Sequence, residues 1–173
     1  MHGLKSVVFV IALCWGCYTL QNIFPIIQSY GIQPRTIHGL VGIGASPFLH
    51  ANIQHLITNT IGLVIFGIIF GLLERKKAAN IIISIIVIQG SLTWLMARNG
   101  NHIGASGLVF GLFGYLLLIG YFQKKLLHFV ISLFVAITYG SLIFGILPLK
   151  SGVSWEAHLF GLVAGALNAR YKV

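Results

Sequence analysis

Six stretches of apolar side chains, each near 20 residues long, occupy most of this chain, at about 7–27, 53–73, 78–97, 104–122, 126–147 and 155–171. A stretch of ~20 apolar residues is what a helix needs to cross the hydrocarbon core of a bilayer. Only 8% of the residues are charged and 57% are hydrophobic, whereas soluble domains carry roughly a quarter charged residues. The expected fold is therefore an all-α membrane protein, a bundle of six transmembrane helices forming one domain over 1–173. No internal repeat, proline-rich linker or low-complexity tract suggests a second unit.

The excess of 11 Lys and Arg over 2 acidic residues would suggest nucleic acid in a soluble protein. Here the basic residues fall in short clusters between apolar runs, with no basic-aromatic surface for a nucleic acid to use. Their distribution sets orientation instead. Lys5, Arg75, Lys76, Lys77, Lys124, Lys125, Arg170 and Lys172 fall in one alternating set of segments. Arg35, Arg98 and Lys150 fall in the other. By the positive-inside rule both termini are expected in the cytoplasm. The second, fourth and sixth stretches then begin at the outer face. The N-terminal run is too long for a signal-peptide core and lacks a small-residue cleavage site, so it is expected to be a retained span. Cys14 and Cys17 share that run. Their spacing resembles a redox or metal pair, but thiols in lipid behave as small hydrophobes and are read so here.

The polar residues are not scattered. His55 and Asn59 open the second stretch, Ser106 the fourth and His158 the sixth. Polar groups in hydrocarbon are costly unless they face a bundle interior or a wet cavity. Four of them at one depth imply a shared cavity open to the outer side. Serine is a weak nucleophile without an adjacent base, and histidine can be neutral near pH 7. A carboxylate would ordinarily orient that histidine. Glu156 points to a different side of the helix from His158, and Glu74 lies at the far end, so a Ser106–His158 dyad is expected rather than a triad. His55 and Asn59 are four apart, on one helix face. Both can donate hydrogen bonds to a developing oxyanion, together with the Ser106 N–H at a helix N-terminus.

Glycines make the approach feasible. Gly107 and Gly111 are four apart, as are Gly161 and Gly165, and small residues at this spacing let membrane helices pack closely. Phe110, one turn below Ser106, is expected to pack on the imidazole. His50 and His102 are expected to line or cap the cavity, while His2, His38 and His128 look incidental. The connection over about 28–52 is the longest, and its length suggests a segment ordered by packing at the outer leaflet.

Taken together these motifs resemble the rhomboid intramembrane serine proteases of the six-helix bacterial type. Gly104-Ala105-Ser106-Gly107 matches the family's Gly-x-Ser-Gly. Ala157-His158 with Gly161 and Gly165 matches its last helix, and His50-Ala51 with His55 and Asn59 its second. Two positions depart from the family. Val41-Gly42 stands where the first loop of well-known members carries Trp-Arg, and Phe110 stands where tyrosine is common. The resemblance implies cleavage of single-span transmembrane substrates near the outer membrane face through an acyl-enzyme. It implies no cofactor and no metal, and residence in a bacterial inner membrane as a multi-pass protein. An alternative is a catalytically silent rhomboid-like protein that binds membrane helices. A small channel or transporter is a third reading, disfavoured because the polar residues stay at one end. The chain has no His-Glu-x-x-His and no aspartate, which argues against zinc and aspartyl proteases.

Overall fold

The computed structural model describes residues 2–149 and 152–171. Lys150 and Lys172, which enter the charge argument above, lie outside them. Helix α1 spans His2–Ile23, the short α2 Gly42–Ala45, α3 Ile53–Leu73, α4 Ala78–Met96, α5 Ser106–Gln123, α6 Leu126–Tyr139 and α7 Trp155–Tyr171. The chain is an all-helical membrane bundle, and five of its helical segments among the described residues are long and apolar enough to cross a bilayer. The first helix starts and ends several residues earlier than the sequence suggested. The fifth stretch is α-helical only to Tyr139 and continues as a 3-10 segment over Gly140–Ile146.

Helix α5 is the axis. Two thirds of its residues are buried, on every side of the helix, and α3, α4, α6 and α7 all pack against it. A helix apolar all round belongs in the centre of a bundle. Its contact with α7 is made by backbone rather than side chains. A methyl group on Gly161 would strike the Gly107 carbonyl, and one on Gly165 the Gly111 carbonyl. Helix α1 uses the same device on α3, where Gly3 lies against Gly71 and Gly67 against Val7. At the end away from the site, Glu74 follows α3 and accepts the Tyr115 hydroxyl of α5 at 2.7 Å.

The connection between α1 and α3 is folded in detail. Three 3-10 turns, Pro25–Tyr30, His38–Leu40 and Ser46–Phe48, flank α2. Ile32 and His102 exchange backbone hydrogen bonds at 2.9 Å in both directions. Arg35 donates to the Ala97 carbonyl at 2.7 Å and to Asn99 Oδ1 at 2.6 Å. Trp94 Nε1 donates to the Thr36 carbonyl at 2.8 Å. The segment is thus tied to the end of α4 and to the loop before α5, the loop that carries Ser106.

Candidate active site

Ser106 is the first residue of α5, so its N–H belongs to the orphan donors of a helix start. The loop that delivers it depends on Gly104, whose φ of +118° suits glycine. A side chain there would also collide with its surroundings. A methyl group on Gly104 would lie 2.5 Å from His55 Nε2 and 3.2 Å from Asn59 Nδ2. The two donors of α3 therefore meet the backbone two residues before Ser106.

The hydrogen-bond pattern sets the polarity of these groups. His55 Nδ1 accepts from the Ala51 N–H at 3.5 Å. Its proton therefore sits on Nε2, the atom that faces Gly104. Asn59 is buried, and its Nδ2 has no hydrogen-bond partner among the described residues. An unsatisfied buried donor is costly, about 1–3 kcal/mol. Here it faces the backbone at Gly104, on the cavity that Ser106 also lines.

His158 lies in the first turn of α7. Its Nδ1 is 2.9 Å from the Gly145 carbonyl. A carbonyl only accepts, so Nδ1 carries the proton and Nε2 keeps a free lone pair. The ring is stacked on Phe110, with centroids 4.2 Å apart and planes 6° from parallel. Phe110 in turn leaves no room for a side chain at residue 145, where a methyl group would come within 2.6 Å of Cζ. Imidazole, phenyl ring and Gly145 backbone thus fix one another. Ser106 and His158 open onto one cavity of about 850 Å³, shared with His55, Asn59, Phe66 and Tyr139. Among the described residues no direct hydrogen bond joins Ser106 to His158. Hydrogen bonds of catalytic pairs are often loose before substrate arrives.

Gly145 does more than the sequence suggested, and His50 is placed differently. The Gly145 carbonyl stands where a triad has its carboxylate; a backbone oxygen leaves no signature in a sequence. His50 does not line the cavity but is fully buried beneath it. Its Nδ1 faces the Phe48 carbonyl at 3.3 Å, and its Nε2 accepts from the Ala105 N–H at 3.5 Å. Burial, and then the neighbouring His55, push His50 down to about 4. The neutral ring is the only form that can accept from Ala105. Gln21 and Gln28 bind the His50 carbonyl from α1 and the first 3-10 turn, which fixes the residue from behind. His102 lines the cavity. His128 is buried on α6. No cluster of three metal-ligating side chains occurs among the described residues.

The family model of the rhomboid domain matches residues 38–173. An uncharacterized protein of Mycobacterium tuberculosis is 39% identical over 148 residues, covering 80% of this chain and 62% of the relative. An uncharacterized protein of Mycobacterium leprae is 34% identical over 152 residues, covering 83% of this chain and 60% of the relative. A protein of Acanthamoeba polyphaga mimivirus, provisionally named a rhomboid protein, is 29% identical over 126 residues, covering 68% of this chain and 67% of the relative. The chain thus spans about three fifths of the length of the mycobacterial relatives.

Proposed function

The chain belongs to the rhomboid family, and from that premise we propose that it is an intramembrane serine endopeptidase working through Ser106 and His158. The observation that carries this reading is the fixed tautomer of His158. With Nδ1–H held by the Gly145 carbonyl at 2.9 Å, the basic Nε2 opens on the cavity that Ser106 also lines. Ser106 Oγ attacks the scissile carbonyl while His158 Nε2 takes its proton. The same nitrogen then protonates the leaving amine as the acyl-enzyme forms, and activates the water that hydrolyses it. The Gly145 carbonyl stabilises the imidazolium as a dipole, without a buried charge. His55 Nε2–H, Asn59 Nδ2–H and the Ser106 N–H hold the oxyanion.

The substrate class is a single-span transmembrane protein. Its helix has to unwind to present a carbonyl, because a helical backbone shields it. A site at one end of the bundle suits cleavage near a membrane face. The charge distribution supports the outer face, in a reading with both termini cytoplasmic and six spans in one domain. The setting is a multi-pass protein of a bacterial inner membrane.

The test is labelling of the purified protein with a fluorescent fluorophosphonate beside Ser106→Ala and His158→Ala. Labelling of the wild type that disappears in both variants, with folding retained, is the expected result. Equal labelling in Ser106→Ala would sink the mechanism. One observation favours a second reading, a silent helix-binding member: Ser106 and His158 share no direct hydrogen bond. Folded wild type that reacts with neither probe nor any transmembrane substrate would establish it.

A further inference from the structure

The chemistry above needs Ser106, at the head of α5, and His158, in the first turn of α7, to hold their spacing without a carboxylate behind the imidazole. The glycine contacts join these helices below the two side chains. At their own level, the helices are joined through the segments that lead into them. Arg98, at the start of the loop before α5, makes three bonds to the start of α7 and the segment before it. Its Nε is 3.3 Å from Glu156 Oε1, and its main-chain N–H donates to the same oxygen at 3.4 Å. Its Nη2 donates to the Val153 carbonyl at 2.5 Å. A second tie runs beside the first. His102 Nε2–H donates to the Arg98 carbonyl at 2.9 Å, and His102 Nδ1 accepts from the Ser154 hydroxyl at 2.5 Å. The Ser154 carbonyl then accepts the His158 N–H at 3.3 Å. A continuous path of hydrogen bonds thus runs from the loop of the serine to the backbone of the histidine.

We propose that Arg98 and Glu156, with His102 and Ser154 beside them, form a clamp that sets the approach of His158 to Ser106. They are positioning residues of the proposed protease. The inference rests on the protease reading, and goes beyond it by assigning a role to the chain's second carboxylate. Stability alone explains the pair poorly. The Glu156 side chain is 4% exposed, and its Oε2 has no partner among the described residues. A buried carboxylate satisfied on one side gains little over a well-packed apolar residue. What it gains is geometry. One oxygen receives both the side chain and the backbone of Arg98, so the loop before α5 and the first turn of α7 are fixed in distance and direction. The clamp also stands at the rim of the cavity, where Arg98, His102, Val153 and Ser154 line the wall.

The experiment compares fluorophosphonate labelling of the full chain in detergent for wild type, Glu156→Gln, Arg98→Gln, the double variant and Arg98→Lys. Glu156→Gln keeps an oxygen for Arg98 and leaves no bare carboxylate, so it tests the clamp even if Arg98→Gln fails to fold. Arg35→Gln is the control. Arg35 holds the same loop from the opposite side, at Ala97 and Asn99, with no bond to α7. Expected is a roughly tenfold fall in the maximal labelling rate for each single variant, with the half-saturating probe concentration within twofold. The double variant should fall no further than the worse single, and Arg98→Lys should recover part of the rate. Arg35→Gln should lower the melting temperature at least as much as Glu156→Gln while keeping the rate. Wild-type rates in folded Glu156→Gln, effects that multiply in the double variant, or an equal fall in Arg35→Gln would overturn the clamp. A wild type that does not label at all would overturn the protease reading and the clamp with it. That result is distinct from labelling that proceeds without the pair.

Discussion

Helices α7 and α6 flank the same central helix and are held to it to different extents. Helix α7 meets α5 backbone to backbone through Gly107, Gly111, Gly161 and Gly165, with no side chain between. Only His128 and Val135 are buried along the 14 residues of α6. Its close approach to α5 is at Gly120, which lies against the backbone of His128 and Phe129, and there the Ser132 hydroxyl accepts from the Gly120 N–H at 2.9 Å and donates to the Leu116 carbonyl at 2.8 Å. Phe129, Leu133, Phe134 and Ile137 of α6 are exposed, as suits a face toward lipid. The proposed dyad stands on the tight side.

The tight side should fail abruptly. Gly165→Leu would place a branched side chain where the Gly111 carbonyl stands. Overpacking of this kind commonly costs about 1–3 kcal/mol, and backbone cannot move aside as a side chain can. Expected is complete loss of fluorophosphonate labelling with a large fall in melting temperature. Labelling near wild type would mean that α5 and α7 are not rigidly coupled. Asn59→Ala sharpens the comparison by striking chemistry without packing. Its Nδ2 is buried and unpartnered, so its removal relieves a cost rather than creating one. Cleavage of a transmembrane substrate should fall about a hundredfold, the usual effect of losing one oxyanion donor, with thermal stability unchanged or raised. A loss of stability would reassign Asn59 to an interhelical contact.

The same contrast explains how much could be read in advance. Membrane spans announce themselves by length and composition, and glycines at four-residue spacing mark a close helix contact. Ser106, His158, His55 and Asn59 stood out because they gather at the opening ends of alternate runs. The bonds that shape the 25–52 connection gave no such signal. Arg35 reaches Ala97, and Trp94 reaches Thr36. Nothing in either local pattern points to its partner. Gly145 was hidden for a different reason: it acts through its carbonyl, which every residue possesses. The change from α-helix to 3-10 after Tyr139 was likewise invisible, because the apolar composition continues unchanged through both.

A smaller effect should come from His50, which joins the tight side to α1 and α3. Its value near 4 lies below the ordinary 6.5 of histidine, so the folded protein favours the neutral ring. Between those two values the unfolded chain binds the extra proton more readily. Stability should therefore rise as pH increases from about 4 to 6.5 and gain nothing more from His50 above that. In His50→Gln an amide oxygen can still accept from Ala105, but nothing titrates. The slope of melting temperature against pH over this window should be shallower in that variant, and an unchanged slope would assign it to another group.

The smallest effect is expected on the loose side. Ser132→Ala removes the hydroxyl that ties α6 to the Gly120 N–H and the Leu116 carbonyl of α5. A neutral hydrogen bond is worth about 1 kcal/mol net, so the melting temperature should drop only slightly. Nothing at the dyad is touched, so the labelling rate with a small fluorophosphonate should stay at wild type. Turnover of a transmembrane helix should hold or rise by a factor of about two, because a looser α6 opens the lipid side without disturbing α7. A loss of probe labelling in Ser132→Ala would mean that α6 supports the dyad through Gly145. The division into a tight catalytic side and a loose entry side would then have to be redrawn around the segment that joins α6 to α7.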